Sequence, residues 1–155
     1  MNLSDEGLTF IKNLESWRAK PYQDEGGKWT VGYGHLIPAK LLANYQKRPL
    51  TRVEGLKLLA SDVGAFETLV AKLLLGDTNV TQAQYDAIVS FVFNVGGYAF
   101  SQSTMRRLLQ SGHFSDAAKE FDRWVYVKKV KSTGLVKRRR AERRLFETGE
   151  YTRAY

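Results

Sequence analysis

Apolar positions recur at helical spacing along most of the chain. Ser4 suits an N-cap, and Asp5 and Glu6 suit the positive end of a helix dipole. Leu8, Ile11 and Leu14 then fall three apart, which predicts a short helix over residues 5–15, with Pro21 beyond its end. From Tyr22 to His35 the period changes. Glycines at 26, 27, 32 and 34 mix with Trp29, Val31 and Tyr33, and Asp24-Glu25-Gly26-Gly27 is a turn signal, so a small β-hairpin is expected.

The helical period returns at Thr51. Thr51 and Glu54 have the spacing of a capping box, and apolar residues follow at 53, 56, 59, 63, 66, 70, 73 and 74. This predicts a long helix over about 52–75, stopped near Gly76. A second box, Thr81 with Gln84, opens a helix that is apolar nearly all round from Tyr85 to Val95, the expected central buried helix, stopped by Gly96-Gly97. Shorter helices are expected at about 103–111, about 115–127 and about 136–147. One early hairpin among helices gives an α+β class with segregated elements.

At 155 residues the chain fits one domain or two lobes sharing a core. It has no cysteine, which excludes a disulfide framework, a thiolate zinc site and a Cys nucleophile. The two histidines, His35 and His113, are far apart and form no metal motif. The net charge is +8, yet residues 1–105 hold ten basic and ten acidic side chains, so the whole excess lies in residues 106–155. A segregated basic region suits an anionic partner or a solvated helix face. Met1 to Glu6 shows no basic-then-apolar leader, and no run nears the ~20 apolar residues that span a bilayer. A protein made in the cytoplasm without signal peptide or anchor is expected.

Glu15, Asp24 and Thr30 are the candidate chemistry. A helix end followed by a hairpin that folds back can gather all three around one cleft, and two carboxylates across a gap are the usual apparatus for cleaving a glycosidic bond. One of them must keep its proton near neutral pH, and Glu15, at a helix boundary and close to Trp17, is the better placed; Asp24 sits in a solvated turn. The chain has 16 acidic residues, most of them expected at the surface, so spacing alone does not single out these two.

The local sequence does. Glu15, Tyr22-x-Asp24-x-x-Gly27 and Thr30-Val31-Gly32-Tyr33-Gly34-His35 closely resemble the active-site segment of the bacteriophage-type lysozymes, glycoside hydrolase family 24. Phe93-Asn94-Val95-Gly96, Ser103-Thr104, Trp124, and Gly134-Leu135 before Arg138-Arg139 and Glu142 resemble that family's later blocks in order. Ser16 stands where Gly is usual and Val31 where Ile is usual. The resemblance implies a mostly helical lysozyme-like fold in one domain. Its parts are a hairpin lobe at about 15–50, a connecting helix at about 52–75, and a helical lobe of about 76–155 with 1–14, with the substrate cleft between the lobes.

It further implies cleavage of the β-1,4 link between N-acetylmuramic acid and N-acetylglucosamine in peptidoglycan. Glu15 is then the general acid, while Asp24 with Thr30 holds and activates water, in an inverting arrangement whose carboxyls stand roughly 6.5–9.5 Å apart. His35 is a catalytic base or a structural partner; by resemblance it pairs with Asp62. Leu36, Phe93, Asn94, Thr104 and Arg123 fall at positions that resemble cleft-lining ones, although Leu36 and Phe93 suit plain core equally well. Acid–base chemistry on a glycoside needs only carboxylates, so no cofactor or metal is expected. A monomer is expected, released from the host cytoplasm by a separate membrane-lesion protein. No nucleic-acid-binding motif is recognisable, so peptidoglycan is the expected partner. Lys137, Arg138, Arg139, Arg140, Arg143 and Arg144 crowd one predicted helix and are expected to form a basic outer face toward anionic envelope lipid or lipopolysaccharide.

Overall fold

A computed structural model of the chain describes residues 1–74 and 79–152. The helices are α1 (Asp5–Leu14), α2 (Leu42–Gln46), α3 (Arg52–Leu74), α4 (Gln82–Val95), α5 (Gly97–Ser101), α6 (Thr104–Gln110), α7 (Phe114–Glu120) and α8 (Thr133–Thr148). The strands are β1 (Arg18–Gln23), β2 (Trp29–Gly32), β3 (His35–Leu36), β4 (Tyr126–Val127) and β5 (Val130–Lys131). The chain forms two units by its internal contacts: Ile11–Gly64, and Met1–Phe10 with the chain from Ala65 onward.

In the unit Ile11–Gly64, β1, β2 and β3 make an antiparallel sheet in that order. Tyr22 pairs with Thr30 and Gln23 with Trp29, then a bulge intervenes before Arg18 pairs with Gly32. Val31 is fully buried on β2, and Tyr33, Ile37, Leu59 and Val63 are also buried. Trp17 joins the sheet to α3: its ring lies 4.7 Å from that of Tyr33 and under the Arg52 guanidinium at 4.8 Å. A Cβ at Gly55 would run into the same indole, so glycine there lets helix and ring meet. The α3 capping box is formed, with Glu54 N donating to Thr51 Oγ1 at 3.1 Å and Thr51 N to Glu54 Oε1 at 3.0 Å.

The other unit is built around α4, buried continuously from Tyr85 to Val92 and packed against α8. Its Thr81–Gln84 capping box is also formed. Phe91 is the hub, meeting the rings of Phe121, Trp124 and Phe100 edge-on at 5.4, 5.5 and 6.3 Å. Asp86, fully buried on α4, accepts from Ser4 N at 3.2 Å, Gln82 Nε2 at 2.8 Å, Tyr151 OH at 2.8 Å and the Ser4 hydroxyl.

Several elements differ from the sequence expectation. Leu75 and Gly76, the expected end of α3, lie outside the described residues. Gly96 does end α4, but Gly97 starts α5 at once; a Cβ there would strike Leu69, so the second glycine serves packing against α3. The helix expected at 115–127 stops at Glu120, followed by a 3₁₀ turn at Phe121–Arg123. Tyr126 to Lys131 form a second hairpin instead. The last helix begins earlier than expected because Ser132 caps it, its hydroxyl accepting from Leu135 N at 3.2 Å.

Candidate active site

Glu15 follows the last residue of α1, its N–H still donating to Lys12 O at 3.2 Å. Its side chain is half-buried and faces Gly34, where an added Cβ would stand 3.9 Å from Oε2. Gly34 has φ +83°, a conformation that a side chain would strain, so the backbone lies bare beside the carboxylate.

Asp24 follows β1 and opens the turn into β2. Its Oδ1 accepts from Gly26 N at 2.9 Å and Lys28 N at 2.8 Å, while its own N–H donates to Lys28 O at 2.9 Å. This fixes the carboxylate's orientation through one oxygen. Oδ2 accepts no hydrogen bond among the described residues. Thr30, 4% exposed on β2, donates its hydroxyl hydrogen to the same Lys28 carbonyl at 3.1 Å. Its Oγ1 accepts no hydrogen bond among the described residues.

Lys28 therefore organises the site through its backbone, a role that residue-type reasoning did not reach. The Asp-x-Gly spacing signals the aspartate-bracketed turn but not the Lys28 carbonyl that Thr30 meets. His35 on β3 faces Asp62 on α3, with Nδ1 at 2.9 Å from Oδ2 and 3.2 Å from Oδ1, so β3 and the long helix are joined by a polar contact. Leu36 is 53% exposed in the same unit and is therefore not core.

The remaining candidates lie in the other unit. Asn94 and Arg123 line one cavity of about 510 Å³ with Val95, Trp124, Tyr126, Val127, Leu135 and Arg139. Asn94 Oδ1 accepts from Arg139 Nη2 at 2.8 Å, and Arg123 pairs with Glu120 at 3.2 Å. Phe93 is half-buried, edge-on to Phe66 at 5.4 Å, which is a packing contact. Thr104 begins α6 and accepts from Arg107 Nη2 at 3.0 Å; neither it nor Phe93 lines that cavity.

The last helix does not turn all six of its expected basic residues outward. Arg138 and Arg139 are buried, at 7% and 1% exposure, and cannot meet an envelope surface. They flank Glu142, itself fully buried: Arg138 Nε lies 3.1 Å from Oε1, Arg139 Nε 2.6 Å from Oε2, and Ser90 Oγ donates to Oε1 at 2.7 Å. Burial lowers the Arg139 pKa, and the Glu142 charge opposes that shift. The partner was visible as Glu142 three and four positions on, on the same side of a helix. Arg143 is paired with Asp122 and Glu147, and Arg144 with Glu150. Lys137 and Arg140 are exposed.

Among the described residues, no three His, Asp or Glu side chains gather to hold a metal ion, and no helix is long and apolar enough to cross a membrane.

Known proteins are similar over nearly the whole length. An endolysin of Acyrthosiphon pisum secondary endosymbiont phage 1 is 38% identical over 96% of this chain and 99% of its own. An endolysin of Bacillus phage B103 is 40% identical over 97% of this chain, which spans 56% of that relative. The solved muramidase domain of SpmX from Asticaccaulis excentricus is 33% identical, with TM-score 0.82 over 94% of this chain and 97% of that one. The family described as phage lysozyme matches residues 12–142, a span that holds Glu15, the three-stranded sheet and the buried Glu142, and the chain belongs to that family.

Proposed function

We propose that this phage lysozyme hydrolyses the β-1,4 bond between N-acetylmuramic acid and N-acetylglucosamine in bacterial peptidoglycan, with inversion, as a lysis enzyme. The observation that carries the reading is the Asp24–Lys28–Thr30 arrangement. A carboxylate held by two N–H groups through Oδ1 offers Oδ2 to a water proton, and Thr30 Oγ1, its hydrogen committed to Lys28 O, accepts the second. A water donating both hydrogens turns its lone pair toward the anomeric carbon. As the C–O bond breaks, Glu15 gives its proton to the leaving oxygen while Asp24 takes one from the water, so charge balances across the step.

The half-buried position of Glu15 suits an acid, and the fixed Asp24 suits a base. Endolysin relatives and a muramidase-domain neighbour support peptidoglycan as the substrate. Asn94 and Arg123, sharing one cavity, suit an acetamido group and a stem carboxylate. Leu36, Phe93 and Thr104 complete the proposed binding set. The exposed Lys137 and Arg140 draw the enzyme toward the anionic envelope, and the enzyme reaches the wall from the host cytoplasm through lesions made by another protein.

Mass spectrometry of digested peptidoglycan tests the reaction: a reducing muramic-acid end of inverted anomer is expected, and a 1,6-anhydro end overturns hydrolysis. Glu15→Gln should fold normally and lose cell-wall clearing by about 10²–10⁴-fold. Undiminished lysis by it removes Glu15 from the mechanism.

A further inference from the structure

We infer that the β4–β5 hairpin, Tyr126 to Lys131, is a surface that docks on a phospholipid bilayer with anionic headgroups. The two strands are two residues each, with Tyr126 paired to Lys131 and Val127 to Val130. Such a ribbon is too short to bury much, and it leaves Tyr126 at 60%, Val127 at 49% and Val130 at 70% exposure. Three large apolar side chains in six residues, all exposed, make a small apolar patch, of which Tyr126 and Val127 also border the cavity of Asn94 and Arg123 while Val130 does not.

The charge around this patch has one sign. From Arg123 to Ala141 the sequence has no acidic residue and eight basic ones. Lys128, Lys129 and Lys131, all exposed, form no ion pair among the described residues. That separates the hairpin from α8, where Arg138 and Arg139 are committed to Glu142, and Arg143 and Arg144 to other acids. Unneutralised lysines beside exposed valines and a tyrosine match an anionic headgroup layer over acyl chains. The ammonium groups meet phosphate while the aliphatic and aromatic groups sit at the boundary beneath.

The turn gives a second argument. Lys128 and Lys129 occupy its two central positions at φ 46° and 68°. Both are left-handed, the geometry that asparagine and glycine adopt most readily and that lysine adopts at a cost. The fold thus places two ammonium groups at the tip of a hairpin, at positions where the turn itself prefers other residues.

This turn chemistry provides a clean test. Lys128→Asn with Lys129→Gly removes both charges while improving the turn, so the hairpin stays formed and the melting temperature should hold or rise. Val130→Thr removes apolar surface and keeps a β-branched residue. The full chain is sedimented with vesicles of phosphatidylglycerol and phosphatidylcholine, and with phosphatidylcholine alone. Wild type should bind the anionic vesicles preferentially, and raised salt should weaken that binding. The double lysine variant should partition about 25-fold less, at about fivefold per lysine. Val130→Thr should weaken binding at any salt.

Three outcomes overturn the proposal. One is equal binding by the hairpin variants and wild type. Another is loss of vesicle binding on Lys137→Gln with Arg140→Gln but not on the hairpin changes, which would assign the contact to α8. The third is a hairpin defect seen only on purified, lipid-free peptidoglycan, which would make the surface a glycan contact. Vesicle binding needs no catalysis, so failure here is distinguishable from failure of the muramidase reading, which the product analysis tests.

Discussion

Asp24 and Lys28 are joined twice through the backbone of one turn: Asp24 N–H donates to Lys28 O at 2.9 Å, and Lys28 N–H donates to Asp24 Oδ1 at 2.8 Å. The proposed catalytic carboxylate is therefore also the brace of its own turn. Asp24→Asn retains a side-chain oxygen able to accept both N–H bonds, so it should melt near wild type while turnover on purified peptidoglycan falls about 10²–10⁴-fold. Asp24→Ala loses the brace as well and should also lose about 1 kcal/mol for each hydrogen bond. Near-normal turnover by Asp24→Asn would remove Asp24 from the water-activating role.

Glu142 neutralises two arginine side chains inside the core, and its loss should be severe. Glu142→Gln leaves the buried Arg138 and Arg139 without their shared carboxylate and should cost about 3–5 kcal/mol in urea unfolding. Glu147→Gln breaks only the exposed pair with Arg143 and should cost about 1 kcal/mol or less. Similar losses in the two variants would mean that the buried cluster contributes no more than a surface pair.

Acid titration should reveal the Arg48–Glu54 pair. The bidentate Arg48 guanidinium, aided by Thr51 N–H and hydroxyl, holds the Glu54 carboxyl down to about 2 from an ordinary 4.5. A carboxyl lowered on folding stabilises the fold above its unfolded value and loses that contribution as pH falls toward the folded one. The stability difference between wild type and Arg48→Gln should be constant above about pH 4.5 and shrink toward about pH 2. Because the pair is exposed, added salt should reduce it.

The alkaline limb carries the opposite sign. Burial, with Asp86 beside it, pushes the Tyr151 hydroxyl up to about 12, and burial with Glu67 and Asp86 does the same to Tyr85. The neutral phenol is favoured in the fold, so stability is intact below pH 10 and declines as pH rises toward about 12. Tyr151→Phe should flatten part of that decline while losing the bond to Asp86. Tyrosinate absorbance, followed against pH in folded and urea-unfolded protein, measures both values directly.

Local signals were the most legible. Both capping boxes, Thr51–Glu54 and Thr81–Gln84, were readable because partners three residues apart decide them. The hairpin around Asp24 was announced by its glycines. The second hairpin was not, because Lys-Lys occupies the turn where Asn-Gly would have signalled it, and its valines also suit a helix end. The motif around Glu15, Asp24 and Thr30 was visible as a linear pattern. The Lys28 backbone that joins Asp24 to Thr30 was not, since a carbonyl carries no mark of residue type. Arginine runs read as surface by default. The burial of Arg138 and Arg139 depends on Ser90 and Asn94, more than 40 positions away, and only packing brings them together.

The clasp at Asp86 bears on how the chain can be rearranged. Ser4 and Tyr151 hydrogen-bond the same carboxylate, so the polypeptide between them is a ring closed by side chains rather than by a peptide bond. A short linker joining these two segments would make the ring covalent with little distortion, and new ends opened at an exposed turn would give a circular permutant. Trimming either segment, by contrast, withdraws a hydrogen-bond partner from a carboxylate that α4 keeps wholly out of water.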